Sequence, residues 1–201
     1  MIFKIFLYMP IYEPIYNKNA TLLKEDILAL LSKRELSYLI KKVLVTLEID
    51  ISGFGQLKLE YLVSDFNGTL ALDGKLLPNI KPKLTSIAEF LKIVVLTSDE
   101  FGKAKEELKE VNCSLHILEE KNMDTQKAEF VTNLGSERVV AFGNGVNDRK
   151  MLKVAKLGVV IVGSEGCATE TLLAADIQVV SAVDGLDLLL NPRRLRATLK
   201  F

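Results

Sequence analysis

The sequence is poor in several residue types whose abundance would identify other classes of protein. Its 201 residues contain no tryptophan, one histidine and two cysteines. Cys113 and Cys167 are far apart and form no Cys-x-x-Cys pair, which favours free thiols in a reducing cytoplasm, although the two could still pair. His116 lies within a short predicted strand with no nucleophile motif around it, so the sequence does not indicate Ser-His-Asp hydrolysis.

The chain also lacks net charge and a long apolar run. Lysine plus arginine and aspartate plus glutamate number 26 each, which removes the simplest electrostatic argument for nucleic acid or an anionic membrane as partner. The apolar run 1–9 is too short to span a bilayer, and Pro10 and Pro14 follow it instead of a small-residue cleavage site. We therefore expect a cytoplasmic protein with no nucleic-acid or membrane partner.

The organising pattern of the sequence is an alternation of predicted strands and helices from about Tyr61 onward. This alternation, with short links, predicts an α/β fold with a doubly wound parallel sheet and right-handed crossovers. Residues 1–55 contain no recognisable motif and end in Ser52-Gly53-Phe54-Gly55, which breaks the chain. We predict an N-terminal extension over 1–55, partly helical, and an α/β domain over 56–201. The stretch 43–51 fits a helix and a strand equally well, and both alternatives stay open.

Polar residues collect where the first predicted strand of this domain ends. A predicted strand with apolar residues at positions 57, 59 and 61–63 stops abruptly at Ser64-Asp65-Phe66-Asn67-Gly68-Thr69. In open α/β sheets, ligands bind in the crevice at the carboxyl ends of the strands. The stretch therefore predicts a functional site, with a simple Asx or glycine turn as the alternative.

Three later stretches repeat this arrangement. The apolar run 93–96 ends in Thr97-Ser98-Asp99, and the run 139–142 ends in Gly143-Asn144-Gly145-Val146-Asn147-Asp148. Between them, Lys127 falls in the first turn of a predicted helix capped by Asp124, where a cation opposes the helix dipole by roughly 0.3–1 kcal/mol. As alternatives, Thr97 or Ser98 could merely cap the next helix, and Lys127 could be a surface residue.

In this order, the four stretches resemble the four motifs of the haloacid dehalogenase superfamily. The pattern is most similar to the small soluble members likened to the catalytic domain of a P-type ATPase. The resemblance covers the predicted α/β domain alone, and it implies a Rossmann-like phosphatase that uses Mg²⁺ and forms an aspartyl-phosphate on Asp65.

The resemblance also implies a role for each matching residue. Catalysis would involve Asp65, Asn67, Thr97 and Lys127. The phosphoryl group would contact Gly68, Thr69, Thr97, Ser98 and Lys127. The hard oxygen ligands that Mg²⁺ prefers would come from Asp65, the backbone carbonyl of Asn67, Asn144 and Asp148.

Two residues depart from the pattern of the superfamily. Asn67 stands where most of its phosphatases have an acid that transfers the proton, a function worth roughly 10²–10⁴-fold in rate. Asn144 replaces an acid of the metal site and removes one negative charge. Two alternatives to a phosphatase therefore stay open. One is a phosphate- or nucleotide-binding regulatory protein with attenuated turnover, and the other is ATP hydrolysis of the P-type kind.

The segments between the motifs are short. After Asp65 they leave room for a small hairpin flap with an Asp73-Gly74 turn, but for no large lid domain. Members of the superfamily without a lid act on large substrates or close their sites with a neighbouring subunit. The resemblance thus implies a phosphorylated small molecule or macromolecule as substrate, and residues 1–55 could cover the site or form a homo-oligomer contact.

Overall fold

The structure is a computed structural model that describes residues 46–201, and it is built around a parallel β-sheet. The strands of this part of the chain are β1 (Leu47–Ile51), β2 (Gly55–Leu59), β3 (Tyr61–Asp65), β4 (Ala71–Leu72), β5 (Lys75–Leu76), β6 (Lys92–Thr97), β7 (Cys113–Ile117), β8 (Val139–Gly143), β9 (Leu157–Ile161) and β10 (Ile177–Val179). Six of them form one sheet in the order β10-β9-β8-β3-β6-β7. Every neighbouring pair in this sheet is parallel, as the sequence predicted.

Helices cover both faces of the sheet. They are α1 (Ile80–Ile87), α2 (Ala104–Glu107), α3 (Met123–Leu134), α4 (Arg149–Val154), α5 (Thr169–Leu172), α6 (Ala182–Leu190) and α7 (Pro192–Leu199). Successive side chains of a strand point to opposite faces, so Leu62 of β3 packs in one hydrophobic cluster and Val63 in the other. All five residues of β8 and of β9 are buried, which explains why these strands are continuous apolar runs. Within 46–201, no helix has the length and apolarity needed to cross a membrane.

The first two strands form an antiparallel hairpin. Leu47 pairs with Leu59, and Ile51 with Gly55, so the strand alternative over 43–51 is the correct one for Leu47–Ile51. Gly53 and Gly55 have left-handed φ angles of +83° and +101°, and the predicted chain break is the turn of this hairpin. The domain boundary predicted at residue 55 falls inside it, and residues 1–45 of the predicted extension lie outside the described residues.

A second hairpin, the flap, follows β3 directly. Ala71 of β4 pairs with Leu76 of β5, and the two turn residues, Asp73 and Gly74, have φ angles of +51° and +75°. Two positive φ angles are typical of the tight turns that match the twist of a hairpin. The predicted flap is thus confirmed, and the described residues between β3 and α3 add no lid domain to it.

Candidate active site

The predicted site residues lie at the carboxyl ends of the central strands. Asp65 ends β3, which pairs with β6 on one side and with β8 on the other. From β3 the chain first proceeds outward through β6 and β7, and it then returns to build β8, β9 and β10 on the opposite side. This reversal opens a crevice at the end of β3, which is where ligands bind in doubly wound sheets.

Two carboxylates and one lysine form a buried cluster in this crevice. We call this cluster the charge triad, and its members are Asp65, Lys127 and Asp148. Lys127 Nζ donates to Asp65 Oδ1 at 2.7 Å and to Asp148 Oδ1 at 2.6 Å. Lys127 and Asp148 are fully buried, and Asp65 is 8% exposed. Because a buried charge is stable only with close partners, each member of the charge triad depends on the others.

Lys127 is buried because of the way α3 packs. The helix begins at Met123 and buries Lys127 together with Val131, which lies one turn further along the same face. The prediction of Asp124 as helix cap is wrong, since the helix is preceded by Asn122 in the left-handed conformation. The Asp124 carboxylate instead pairs with Lys150 at 2.7 Å. The surface alternative for Lys127 is also wrong.

The charge triad shifts the pKa values of two of its members. Burial and the neighbouring Asp148 charge raise the pKa of Asp65 to about 6, although Lys127 opposes this shift. Burial alone would lower the pKa of Lys127, but the charges of Asp65 and Asp148 outweigh it and raise that pKa above its ordinary value. Lys127 therefore carries a permanent positive charge beside a carboxylate that protonates in a mildly acidic solution.

Asp148 is held by hydrogen bonds from three sides. Its Oδ2 accepts from the backbone N–H groups of Asn144 and Gly145, both at 2.9 Å, while its Oδ1 accepts from Lys127. A Cβ atom on Gly143 would lie 2.4 Å from the Asp148 Cβ, so a glycine is required for this close approach. Asp148 thus fixes both the loop after β8 and the ammonium group of Lys127.

The two predicted asparagines, Asn67 and Asn144, also lie at the crevice, and we call this pair of residues the amide side. Thr69 Oγ1 lies 3.2 Å from Asp65 Oδ2 and 3.2 Å from Asn144 Oδ1, and so connects the amide side to the charge triad. Asn144 Nδ2 donates to the carbonyl oxygen of Gly166 at 3.2 Å, which directs the amide oxygen toward Thr69.

Asn67 contacts the flap through its side chain. Its Oδ1 accepts the backbone N–H of Gly74 at 3.0 Å. The backbone hydrogen bonds of the turn after Asp65 end on the carbonyl oxygens of Phe66 and Ala71. Since those bonds use other acceptors, the carbonyl oxygen of Asn67 is left for a ligand.

Thr97 and Ser98 follow β6 on the other side of Asp65. Thr97 is buried, and its Oγ1 accepts the backbone N–H of Asp99 at 2.9 Å. The Asp99 carboxylate accepts the N–H groups of Lys103 and Ala104 at 3.0 Å, so it is Asp99, and neither Thr97 nor Ser98, that bonds to the start of α2. Because the Thr97 oxygen is the acceptor in its bond, the hydroxyl proton remains for a ligand. Ser98 is half-buried in the same loop.

The donor set at the crevice fits Mg²⁺. Across residues 46–201 no three His, Cys, Asp or Glu side chains form a metal cluster. The available ligands are instead a carboxylate of Asp65, the backbone oxygen of Asn67 and the amide oxygen of Asn144. All three are hard oxygen donors, and Mg²⁺ commonly completes such a partial set with water.

Comparisons with known proteins show what this chain is similar to in sequence and in fold. Residues 120–170 match the family model of the haloacid dehalogenase-like hydrolases. An uncharacterised protein of Methanocaldococcus jannaschii is 48% identical over 63 residues, which cover 31% of this chain and 68% of that protein. A probable copper-exporting P-type ATPase of Archaeoglobus fulgidus is 31% identical over 106 residues, which cover 52% of this chain but 13% of the ATPase.

A solved structure shows the same fold. The 3-deoxy-D-manno-octulosonate 8-phosphate phosphatase of Moraxella catarrhalis, crystallised with magnesium, phosphate and the sugar acid, superimposes with a TM-score of 0.51. It shares 17% sequence identity, and the match covers 71% of this chain and 94% of the phosphatase. The six-stranded parallel sheet, with a carboxylate and a lysine at its switch point, is a Rossmann-like α/β fold. The chain resembles the haloacid dehalogenase-like hydrolases in the family model that residues 120–170 match and in its fold.

Proposed function

We propose that this protein is a Mg²⁺-dependent phosphatase that acts through an aspartyl-phosphate on Asp65. The observation that carries the proposal is the position of Asp65 at the switch point of the sheet, 2.7 Å from the buried ammonium group of Lys127. A carboxylate held beside a fixed cation suits nucleophilic attack on a phosphoryl group, because the cation offsets the charge of the incoming phosphate.

In the first step, a carboxylate oxygen of Asp65 attacks phosphorus, and the bond between phosphorus and the leaving oxygen breaks. Lys127 and the free hydroxyl proton of Thr97 donate hydrogen bonds to the phosphoryl oxygens and stabilise their negative charge. Gly68 and Thr69 lie in the loop after β3, and Ser98 lies in the loop after β6. Asn67 carries no transferable proton, so the leaving oxygen takes its proton from water.

In the second step, water attacks phosphorus and releases the Asp65 carboxylate together with inorganic phosphate. This step gains most from a general base, and the amide of Asn67 can orient a water molecule but cannot accept its proton. We therefore expect the second step to be slower than the first. The phosphorylated form of the protein should then accumulate during turnover.

Mg²⁺ would be held by the Asp65 carboxylate, the Asn67 carbonyl oxygen and the Asn144 amide oxygen. When bound, the ion supplies positive charge that offsets the charge of the phosphoryl group. Asp148 accepts hydrogen bonds from three protein donors, Lys127 and the backbone N–H groups of Asn144 and Gly145. We propose that it acts on the site mainly by holding Lys127.

The substrate is a phosphorylated small molecule or macromolecule. Within residues 46–201 only the small flap lies beside the crevice, and these residues place no large lid over the substrate. The similar phosphatase named above is one that acts on a sugar-acid phosphate, and we take from it the general class of phosphate monoesters. Cytoplasmic localisation and a homo-oligomer contact through residues 1–55 stay predictions.

Two other functions each have a specific observation in their favour. The amide side lacks both acids that the superfamily pattern predicts, which favours a phosphate- or nucleotide-binding regulatory protein with attenuated turnover. The 31% identity to a P-type ATPase over 106 residues favours ATP as the phosphoryl donor. Both functions use the same phosphate site, so turnover and substrate must be measured to separate them.

The first experiment is hydrolysis of p-nitrophenyl phosphate and of ATP, with Mg²⁺ and with EDTA, for the natural protein and for Asp65→Asn. Asp73→Asn is the matched control, since it removes a carboxylate from the exposed turn of the flap. We expect Mg²⁺-dependent turnover that Asp65→Asn abolishes and that the control retains.

Intact-protein mass spectrometry after an acid quench then tests the covalent intermediate. A phosphorylated species should form with the natural protein and not with Asp65→Asn. Binding of phosphate without turnover and without a phosphorylated species would contradict the phosphatase and favour the regulatory protein. Hydrolysis of ATP but not of the monoester would favour the P-type alternative.

A further inference from the structure

A carboxylate that the superfamily motifs do not include lies beside the amide side. A Cβ atom on Gly68 would lie 2.4 Å from Asn144 Nδ2 and 2.7 Å from Glu165 Oε2. The Glu165 carboxylate and the Asn144 amide therefore both lie against the turn that follows Asp65. Glu165 is exposed, and it forms no ion pair with another residue in 46–201.

Hydrogen bonds hold the Glu165 loop against the site. The carbonyl oxygen of Gly166 accepts from Asn144 Nδ2 at 3.2 Å, and the N–H of Ala168 donates to the backbone oxygen of Asn144 at 2.9 Å. A Cβ atom on Gly163 would lie 3.2 Å from the backbone oxygen of Gly68. Asn144, a predicted metal ligand, bonds to this loop through both its side chain and its backbone. These bonds hold Glu165 close to Asn144.

The net charge around the proposed Mg²⁺ ligands explains why a further carboxylate, that of Glu165, would favour binding of the ion. In the charge triad, Lys127 balances one of the two carboxylates and leaves a single negative charge near the proposed ligands. Asn144 contributes an oxygen but no charge. A divalent cation at this site therefore has one acidic neighbour fewer than the superfamily pattern provides. The unpaired carboxylate of Glu165 lies next to Asn144, the residue that replaces the missing acid.

We propose that Glu165 supplies the negative charge of the Mg²⁺ site that Asn144 does not carry. The inference rests on the proposed function, because it concerns the same metal site. Mg²⁺ keeps several of its water molecules in proteins. A carboxylate at the edge of the site can accept hydrogen bonds from these water molecules, so Glu165 need not reach the ion itself.

The experiment is a calorimetric titration of the full-length, metal-free protein with Mg²⁺, which measures Kd without any substrate. Glu165→Gln should raise Kd by about tenfold or more, the range in which residues around metal ligands act. Adding Asn144→Asp to Glu165→Gln should lower Kd again, since it places the charge on the neighbouring side chain. Glu170→Gln is the matched control, because Glu170 is also exposed but pairs with Arg149, and it should leave Kd unchanged.

The urea unfolding midpoint in EDTA should be the same for Glu165→Gln and the natural protein, which separates a role in metal binding from a role in folding. Three results would overturn the inference. The first is an unchanged Kd for Mg²⁺ in Glu165→Gln. The second is an equal rise of that Kd in Glu170→Gln, and the third is a Kd that does not fall again when Asn144→Asp is added to Glu165→Gln.

The same Mg²⁺ titration of Asp65→Asn distinguishes a failure of the Glu165 inference from a failure of the proposed function. If Asp65→Asn abolishes Mg²⁺ binding while Glu165→Gln does not change it, the metal site stands and Glu165 has no part in it. If the natural protein binds no Mg²⁺, both the metal dependence and the role of Glu165 are wrong.

Discussion

The charge triad and the amide side differ in what their side chains are bonded to. Lys127 and Asp148 are fully buried and bond within the triad and to the loop after β8. Asn67 bonds to the flap, and Asn144 bonds both to the loop after β9 and to Thr69 within the site. The first side can thus stabilise a phosphoryl group on Asp65, whereas the second holds neighbouring loops in place and transfers no proton.

This contrast separates the two halves of the proposed reaction. Phosphorylation of Asp65 depends mainly on positive charge and hydrogen-bond donors, which Lys127 and Thr97 provide. Release of the phosphate depends in addition on a proton acceptor, which neither asparagine provides. Variants of the two sides should therefore have different effects on stability and on turnover.

The largest loss of stability should come from breaking the charge triad. Lys127→Met leaves two carboxylates in the crevice, one of them fully buried, without their cation, and breaking a buried pair in this way costs about 3–5 kcal/mol of the free energy of unfolding. Urea denaturation measures the loss. Lys150→Met is the matched control, because its pair with Asp124 is partly exposed and should be worth less than about 1 kcal/mol. Equal losses would contradict the importance of the triad for stability.

The largest gain in rate should come from changing the amide side. Asn67→Asp keeps an oxygen that can accept the Gly74 N–H, and it adds a group that can transfer a proton. We expect dephosphorylation of the enzyme to be roughly 10²–10⁴-fold faster, measured in a single turnover. Asn67→Ala should lose the bond to the flap without any such gain. An unchanged rate in Asn67→Asp would mean that water is activated by another group.

The pH dependence of stability should reveal the unfavourable charge of Asp65. Its pKa is raised from 3.8 to about 6 in the folded, metal-free protein, so the folded state binds more protons than the unfolded state between these values. Stability must therefore fall as the pH rises through this window, by about 2–3 kcal/mol. The difference in unfolding free energy between Asp65→Asn and the natural protein in EDTA should grow from pH 4 to pH 6. A difference independent of pH would contradict the shift.

The smallest difference should be that between two glycine variants, one of them in the turn that follows Asp65. Gly68 has a φ of +77°, and a Cβ atom there would lie 2.4 Å from Asn144 Nδ2. Gly102 also has a left-handed φ, of +62°, but has open space around it. Both Gly→Ala variants should lose about 1 kcal/mol to backbone strain. Gly68→Ala should lose a further 1–2 kcal/mol, roughly, to crowding. The comparison of the two by urea denaturation isolates the close approach.

Much of this arrangement was predictable from local patterns. Apolar runs ending in polar residues indicated the central strands and placed Asp65, Thr97 and Asn144 at their ends. The parallel sheet then brings those ends to one edge. The Asp73-Gly74 pair indicated the turn of the flap, because that turn depends on two residues that tolerate a positive φ.

Other features had no local signal. Ser52-Gly53-Phe54-Gly55 has the composition of a linker and of a hairpin turn alike, and only the pairing of β1 with β2 shows that it is a turn. Thr97, Ser98 and Asp99 are all good helix caps by residue type. Only the tertiary structure shows that the Asp99 carboxylate is the one that bonds to the N–H groups at the start of α2.

The sequence by itself determined the order of strands and helices, the parallel sheet and the carboxylate at its centre, because these depend on hydrophobic periodicity and on residue types at strand ends. The tertiary structure alone decided the partners of each side chain. It placed Lys127 between Asp65 and Asp148, joined Asn67 to Gly74, and brought Glu165 beside Asn144. These contacts join residues that are distant in the sequence, and they follow from how the loops pack over one edge of the sheet.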